Sequence, residues 1–440
     1  MEYKKGSRLN EGKTKIVWKV KNAANLVIIE NKNDITAFDD PSFTKQFKTK
    51  AEHATTVTCR VFELLKKAGI PVAYEKQISP TQFVASSCTM IPLEVVSRRF
   101  AVGSFLKRHP ELVTEEILPH RFHKLVIEFF LKTTKGELVN HKGIKLVKGL
   151  DPKKGEEDPF IDNPFENNWN LYHSKKPKWE EGAVLRSKIA AKSVFPGGAS
   201  NVIEEIDNLA RKTFLVLEGA WNILGYRVID MKIELGLDKK GNLLVADVID
   251  NDSWRLRDAN WQELSKEAFR QGEKLDEVEK KYGFVAELSQ NFRIPKQALV
   301  LWRGSESDEF PDMTETKKIS GVAIEEVTLS GHKSTKGCLD RLEKILTEYS
   351  DGGVILAFVG MSNGLGPILS ARTVWPVVGI PMTADKCADD VWSSLRMPSH
   401  VPIMTTLSPK NAVLGALNVL SQKNPIAYMT RQLAIEKFDC

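Results

Sequence analysis

Between residues 298 and 380 the chain repeats one pattern: a short apolar run, a polar loop, then a stretch without strand character. The apolar runs fall at 298–302, 322–329, 354–359 and 377–380. Leu339, Leu342, Ile345 and Leu346 have helical spacing between the second and third. Short apolar strands alternating with helices bury both sheet faces only in a parallel sheet, which predicts a three-layer α/β domain with right-handed crossovers. In such a sheet the loops that follow the strands gather at its carboxyl edge, where ligands bind. Here those loops read Arg303-Gly304-Ser305-Glu306-Ser307-Asp308, Ser330-Gly331-His332-Lys333 and Gly360-Met361-Ser362-Asn363-Gly364-Leu365-Gly366-Pro367. A helix opening near Pro311 would make the Ser305 loop an anion site through its N–H groups and dipole. His332 alone reads as a structural histidine; beside Lys333, in a loop facing the other two, it becomes an acid–base candidate. Gly364-Leu365-Gly366 is too little for a dinucleotide fingerprint, and Pro367 follows it.

The rest of the chain has a different texture. A length of 440 residues exceeds one ordinary core and predicts two domains. Residues 26–29 read as a buried strand. From Thr55 the period turns helical, with Val57, Val61, Leu64 and Ala68 on one face, and Gly69 then Pro71 closes the helix. Residues 132–182 lose any apolar period and read as a long surface excursion. A helix follows over about 201–224, then a hairpin, then a charged helical stretch at 261–290. The expected division is 1–265 for the first domain, 266–296 for a helical connector and 297–440 for the second domain.

Three constellations in the first domain carry chemistry. In Glu11-Gly12-Lys13-Thr14-Lys15-Ile16-Val17-Trp18, strand alternation sets Lys13 and Lys15 on one face, about 6.6 Å apart, a span suited to neighbouring phosphates. A solvated strand face has the same spacing. In Val228-Ile229-Asp230-Met231-Lys232-Ile233-Glu234-Leu235-Gly236 the apolar residues share one face and Asp230, Lys232 and Glu234 the other. After the turn at 238–242, Asp247 interrupts an apolar strand, and a buried carboxylate needs a partner or a cation. Glu234 and Asp247 meeting across the hairpin would hold Mg²⁺ through oxygen ligands; a salt-bridged sheet is the alternative. In the third, an apolar strand at 90–96 delivers Arg98 and Arg99 ahead of Gly103-Ser104, which describes either a phosphate fork or an exposed basic patch.

The charge balance is mild: 63 basic against 57 acidic residues leaves +6, spread without a block. This fits small anionic substrates and no nucleic-acid partner. No apolar run is long enough to cross a membrane, so no membrane partner is expected. The five cysteines show no CxxC spacing, and the first residues lack a signal-like apolar stretch, so the expectation is reduced thiols in the cytoplasm.

Together, EGKTK, IPLEVVSRR with GSFLKR, IDMKIELG and ADVIDNDSWRL resemble the SAICAR synthetase family, over roughly residues 5–270. The resemblance implies an α+β fold of antiparallel sheets in two lobes. It further implies that Lys13, Lys15 and Glu234 bind ATP, that Glu234 and Asp247 organise Mg²⁺, and that Lys232 is catalytic beside the reacting carboxylate. Arg98, Ser104, Lys132, Arg255 and Arg270 would hold the phosphate and carboxylates of the substrates. Departures from the family pattern include Ser97, Val102, Leu235, Thr133 and Thr134, with Asp158-Pro159 displaced beyond an insertion.

From residue 297 to about 422, GSESD, SGHK, SNGLGP, DDVWSSLRMPS and LSP resemble the animal-type AIR carboxylases. By that resemblance Ser305 and Asp308 hold the ribose and Lys333 the phosphate. His332 moves the proton, and Ser362, Asn363 and Gly364 shape a CO₂ site needing neither ATP nor biotin. Gly331, Met361 and residues 384–388 depart from the family pattern. The two families in this order are those of the animal bifunctional purine-synthesis enzymes, which implies aminoimidazole ribonucleotide, CO₂, L-aspartate and ATP as substrates and a homo-octamer. A synthetase whose carboxylase domain serves only assembly, and a non-catalytic metabolite-binding scaffold, are the other readings.

Overall fold

A computed structural model describes residues 3–36, 44–46, 48–140, 143–195 and 202–438; Asn201, where the helix over about 201–224 is expected to begin, and Cys440, the last of the five cysteines, lie outside them. The chain divides into two compact units, residues 1–292 with 436–440, and residues 293–435.

The first unit holds two large antiparallel sheets. One runs in the order Lys5–Glu11, Lys15–Val20, Leu26–Asn31, Gln82–Ser86, Tyr74–Ser79. The other has eight strands, with Thr89–Phe100 and Arg227–Leu237 paired at its centre and Arg121–Leu131 beside them. The alternation in Arg227–Leu237 is realised: Ile229, Met231, Ile233 and Leu235 are all at most 2% exposed. Burying each is worth about 1.5–3 kcal/mol, and this fixes the register, because a one-residue slip would turn the whole apolar set outward. The helix Val202–Ile223 packs on the central strands.

Three expectations are revised here. Residues 132–182 are not a surface excursion throughout. Phe160–Ile161 and Asn168–Tyr172 are strands, and with Val184–Ala190 they extend the large sheet outward from Arg121–Leu131. The charged stretch read as a connector packs into the first unit. Its helix Leu275–Ser289 lies against helix Lys50–Lys67, where Tyr282 and the buried Lys50 both donate to Asp252. Asp247 is not inside a strand: Leu243–Ala246 ends before it, and Asp247 takes a left-handed conformation with φ 65°.

The second unit is the expected three-layer α/β fold. Its sheet runs Val322–Thr328, Gln297–Arg303, Gly353–Val359, Val377–Pro381, Met404–Thr405, all parallel. Helix Thr335–Glu348 and the short helix Leu365–Ser370 cover one face through Leu342, Ile345, Leu365 and Leu369. Helix Pro409–Leu420 packs on the sheet through Ala412, Val413, Ala416 and Leu417. No α-helix opens near Pro311. The connection carries a single 3₁₀ turn, Thr316–Lys318, so no helix dipole points at the Ser305 loop. The apolar residues there, Phe310, Met313 and Ile319, lack the i, i+4 spacing that would give a helix a face to bury.

Candidate functional site

The polar face of Arg227–Leu237 is covered as well as its apolar one, so each of its charges needs a partner. Register supplies them. Asp230 pairs across the sheet with Arg98, and Glu234 with Glu94. Lys132 follows the adjacent strand Arg121–Leu131. The result is two charged clusters on one face.

The first cluster centres on Glu234. It accepts from Lys132 Nζ at 2.5 Å and from Lys232 Nζ at 3.0 Å, and Lys232 also reaches Glu94 at 2.8 Å. Burial works against the charge on Glu234, but Lys232, Lys132 and Lys15 outweigh it and hold its pKa down at about 2. Burial likewise opposes the charge on Lys232, yet Glu94 and Glu234 raise its pKa above the usual lysine range. Burial pulls Lys15 down to about 8, aided by Lys132 and Lys232 and opposed by Glu234. Lys15 comes from the smaller sheet and pairs with Asp247, so this cluster lies where the two sheets meet. Lys13 does not share a strand face with Lys15. It sits exposed in the hairpin turn between Lys5–Glu11 and Lys15–Val20.

The second cluster is an anion pole. Asp230 Oδ2 accepts from Arg98 and, at 2.5 Å, from Arg255 Nη1. Arg98 Nη2 points at Ser104 Oγ, 3.4 Å away. Arg270 donates to Glu267 at 3.0 Å, and Glu267 lies 3.6 Å from Arg255, which brings the fourth predicted residue in. Gly103 suits this turn through its backbone, and a side chain here would press on the tip of Arg255. Its φ is 60°, and a Cβ would stand 2.4 Å from Arg255 Nη2. A cavity of about 400 Å³ is lined by Ala101, Leu106, Ile117, Arg257, Trp261 and Gln271; Arg98, Ser104, Arg255 and Arg270 are not among its lining residues.

Sequence reasoning passed over Glu94, Glu128 and Arg108. Glu94 had a signal: in IPLEVVSRR it alternates in phase with Arg98. Glu128 and Arg108 had none, since their roles come from strand order.

In the second unit the three loops converge as expected. A Cβ at Gly364 would stand 2.2 Å from His332 Nε2, so the imidazole lies directly on that glycine. A Cβ at Gly331 would meet Leu365 Cα at 2.8 Å, and one at Gly360 would lie 3.8 Å from Asp308 Oδ1. Burial raises the pKa of Asp308. Ser305 Oγ accepts from Ser307 Oγ at 3.0 Å, and the Lys333 N–H donates to Ser330 Oγ. His332, Lys333 and Ser362 are exposed at this edge. Asn363 is different. Its buried amide donates to Ser394 Oγ at 3.0 Å and accepts from the Gly366 N–H at 2.8 Å, so it ties the loop to the DVWSSLR segment. Its side chain shapes the loop from behind.

Comparison with known proteins gives the same division. The SAICAR synthetase model matches residues 8–156 and 177–287, and the AIR carboxylase model residues 299–435. The "Probable multifunctional protein ADE2" of Caenorhabditis elegans is 31% identical, with 97% of this chain and 93% of that protein covered. The "Bifunctional phosphoribosylaminoimidazole carboxylase/phosphoribosylaminoimidazole succinocarboxamide synthetase" of Drosophila melanogaster is 33% identical, with 96% and 90% covered. The human protein of that name is 30% identical, with 98% and 93% covered. A ligase-type charged face and a convergent three-loop edge thus stand on one chain in the order of these relatives, and the chain belongs to the bifunctional AIR carboxylase/SAICAR synthetase family of purine biosynthesis.

Proposed function

We propose that the two units act in reverse chain order. The second carboxylates aminoimidazole ribonucleotide with CO₂, without ATP or biotin. The first joins the product to L-aspartate using ATP. The observation that carries the ligase assignment is the cluster of Lys15, Lys132 and Lys232 around the ionised Glu234, on the same sheet face as the anion pole.

In the ligase step Lys13 and Lys15 bind the ATP phosphates. Arg98, Ser104, Arg255 and Arg270 hold the nucleotide's phosphate and carboxylates. The substrate carboxylate attacks the γ-phosphorus and ADP leaves; the aspartate amine then attacks the acyl carbon, and phosphate leaves. Lys232 and Lys132 neutralise the carboxylate and the charge that develops during transfer. We assign Mg²⁺ to Glu234 and Asp247, since it ordinarily takes one or two carboxylates beside substrate phosphates; in this structure both are salt-bridged, Glu234 to Lys132 and Lys232 and Asp247 to Lys15, so the ion would take the place of lysine partners. Bound there, it would supply electrostatic neutralisation of the phosphoryl group.

In the carboxylation step the electron-rich ring carbon forms the new C–C bond to CO₂, and His332 removes the proton that carbon then carries. Ser305 and Asp308 face the ribose, Lys333 the phosphate, and the Ser362–Gly364 backbone the CO₂. The proposal includes a cytoplasmic homo-octamer built around the carboxylase units. Exposed Met361, Trp392, Leu395, Met404 and Leu407 on that unit supply apolar surface for it, and sedimentation tests it.

The deciding assay supplies aminoimidazole ribonucleotide and bicarbonate with and without ATP plus aspartate. Carboxylation should proceed without ATP. His332→Asn should reduce only that step, by about 10²–10⁴-fold, and Lys232→Ala only the ligation. Loss of both activities from either change in a folded protein would refute the assignment of the sites to separate units.

A further inference from the structure

The family model passes over residues 157–176, yet this segment meets the charged face at Arg108, the last residue of the short helix Ser104–Arg108 and only 5% exposed. Arg108 Nη1 donates to the Ser174 carbonyl. Its guanidinium carbon lies 4.8 Å from the centroid of the Phe160 ring and 5.3 Å from that of Phe130. The free end of the guanidinium, Nη2, donates to Glu128 Oε1. The other oxygen, Glu128 Oε2, accepts from Arg98 Nε at 2.5 Å.

Glu128 is thus a buried carboxylate shared by two arginines, one gripping each oxygen. Its hold on Nε, with that of Asp230 on Nη1, fixes the plane of the Arg98 fork and leaves Nη2 directed to Ser104. Counting Arg98, Arg108, Arg255 and Arg270 against Glu128, Asp230 and Glu267 gives four positive charges to three negative, a surplus suited to an anion. Ser174 is itself held. The preceding residue, His173, is buried; its Nδ1 accepts from the Lys175 N–H at 3.0 Å, which leaves Nε2 to donate to the Lys154 carbonyl at 3.1 Å.

We propose that the segment 157–176 is a brace for the anion pole: Phe160 and the Ser174 carbonyl seat Arg108, Arg108 holds Glu128, and Glu128 orients Arg98. Arg108 and His173 are then positioning residues for the phosphorylated substrate of the ligase. The inference rests on the reading of Arg98 as a substrate-binding residue.

The test is steady-state ligase kinetics on the full-length chain, varying carboxyaminoimidazole ribonucleotide and ATP in turn. His173→Ala should raise KM for the nucleotide about tenfold and leave KM for ATP within about twofold, the signature of lost substrate positioning. Arg108→Gln should do the same or more. Arg108→Lys, which keeps the charge but cannot span Ser174 and Glu128 together, should fall between. The His173→Ala effect should vanish when added to Arg108→Lys or Arg108→Gln, because both act through one chain of contacts. Independent, multiplying effects would overturn the brace. So would a His173→Ala change that moves both KM values together, or neither. If Arg108→Gln fails to fold, the cycle with Arg108→Lys carries the same decision. Arg98→Gln separates the two levels: an unchanged nucleotide KM there refutes the reading of the pole itself, whereas a raised one with a silent His173→Ala refutes only the brace.

Discussion

Lys15 shows how much a single residue depends on its neighbours. Burial, opposed by Glu234 and aided by the ammonium groups of Lys132 and Lys232, brings its pKa to about 8, while its usual value is 10.5. The sign follows directly: below about pH 8 it is charged and attracts phosphate, and above it the proton is lost. KM for ATP should therefore climb as pH rises from about 7 to about 9.5, and Lys15→Arg should flatten the climb because guanidinium stays charged. Initial-rate measurements across that range check it; an unchanged slope in Lys15→Arg would remove Lys15 from the ATP site. Lys15, Lys232 and Glu234 were legible in the sequence because strand alternation is a local property. The ion pairs they form were not. That Lys15 meets Asp247, and that Glu94 meets Lys232, depends on strand order and register, which no single segment carries. Lys13 departs from the expected strand face for a related reason: the chain turns at Gly12-Lys13-Thr14, so strand alternation does not run through them.

At the scale of elements, strong periods are legible in the sequence and very short strands are not. The apolar runs 298–302 and 354–359 of the second unit and the helix Lys50–Lys67 stand out from any window of sequence. The strands Phe160–Ile161 and Asn168–Tyr172 do not, being two and five residues long. A trace was present: Trp169 and Leu171 alternate with Asn168 and Asn170, and both apolar side chains are fully buried. The loops of the second unit depend on glycine for close approach. Gly364→Ala would place a methyl group into the imidazole of His332, which sits at the surface and can rotate away from it. Carboxylation should fall by about tenfold or more, and ligation on supplied carboxylated nucleotide should stay as it was. Equal rates in wild type and Gly364→Ala would show that the imidazole is not needed where the structure puts it.

At the scale of the whole molecule, the change of texture near residue 297 announced two units, and the alternating hairpin against the repeating strand–loop pattern announced their classes. One long-range feature left no trace in the sequence. Arg99, next to Arg98 but on the opposite face, is 1% exposed. It donates to both oxygens of Glu218, to the Phe122 and His123 carbonyls, and at 2.8 Å to Glu436. Glu436 lies past the second unit in the chain but belongs to the first. Glu436→Gln removes a charged partner while Glu218 remains, so the first unit should lose about 1.5–3 kcal/mol. Calorimetry should show its transition moving down and that of the second unit staying in place; two unshifted transitions would mean that Glu436 adds nothing.

This ion pair also sets a clock on biosynthesis. Arg99 and Glu436 are 337 residues apart in sequence. At ribosomal speeds of about 5–20 residues per second, Glu436 is added on the order of half a minute after Arg99. Through that interval the nascent first unit has Glu218 to neutralise its buried arginine and lacks the second carboxylate. The ligase half, although made first, reaches its full complement of charge only after the carboxylase half has been translated.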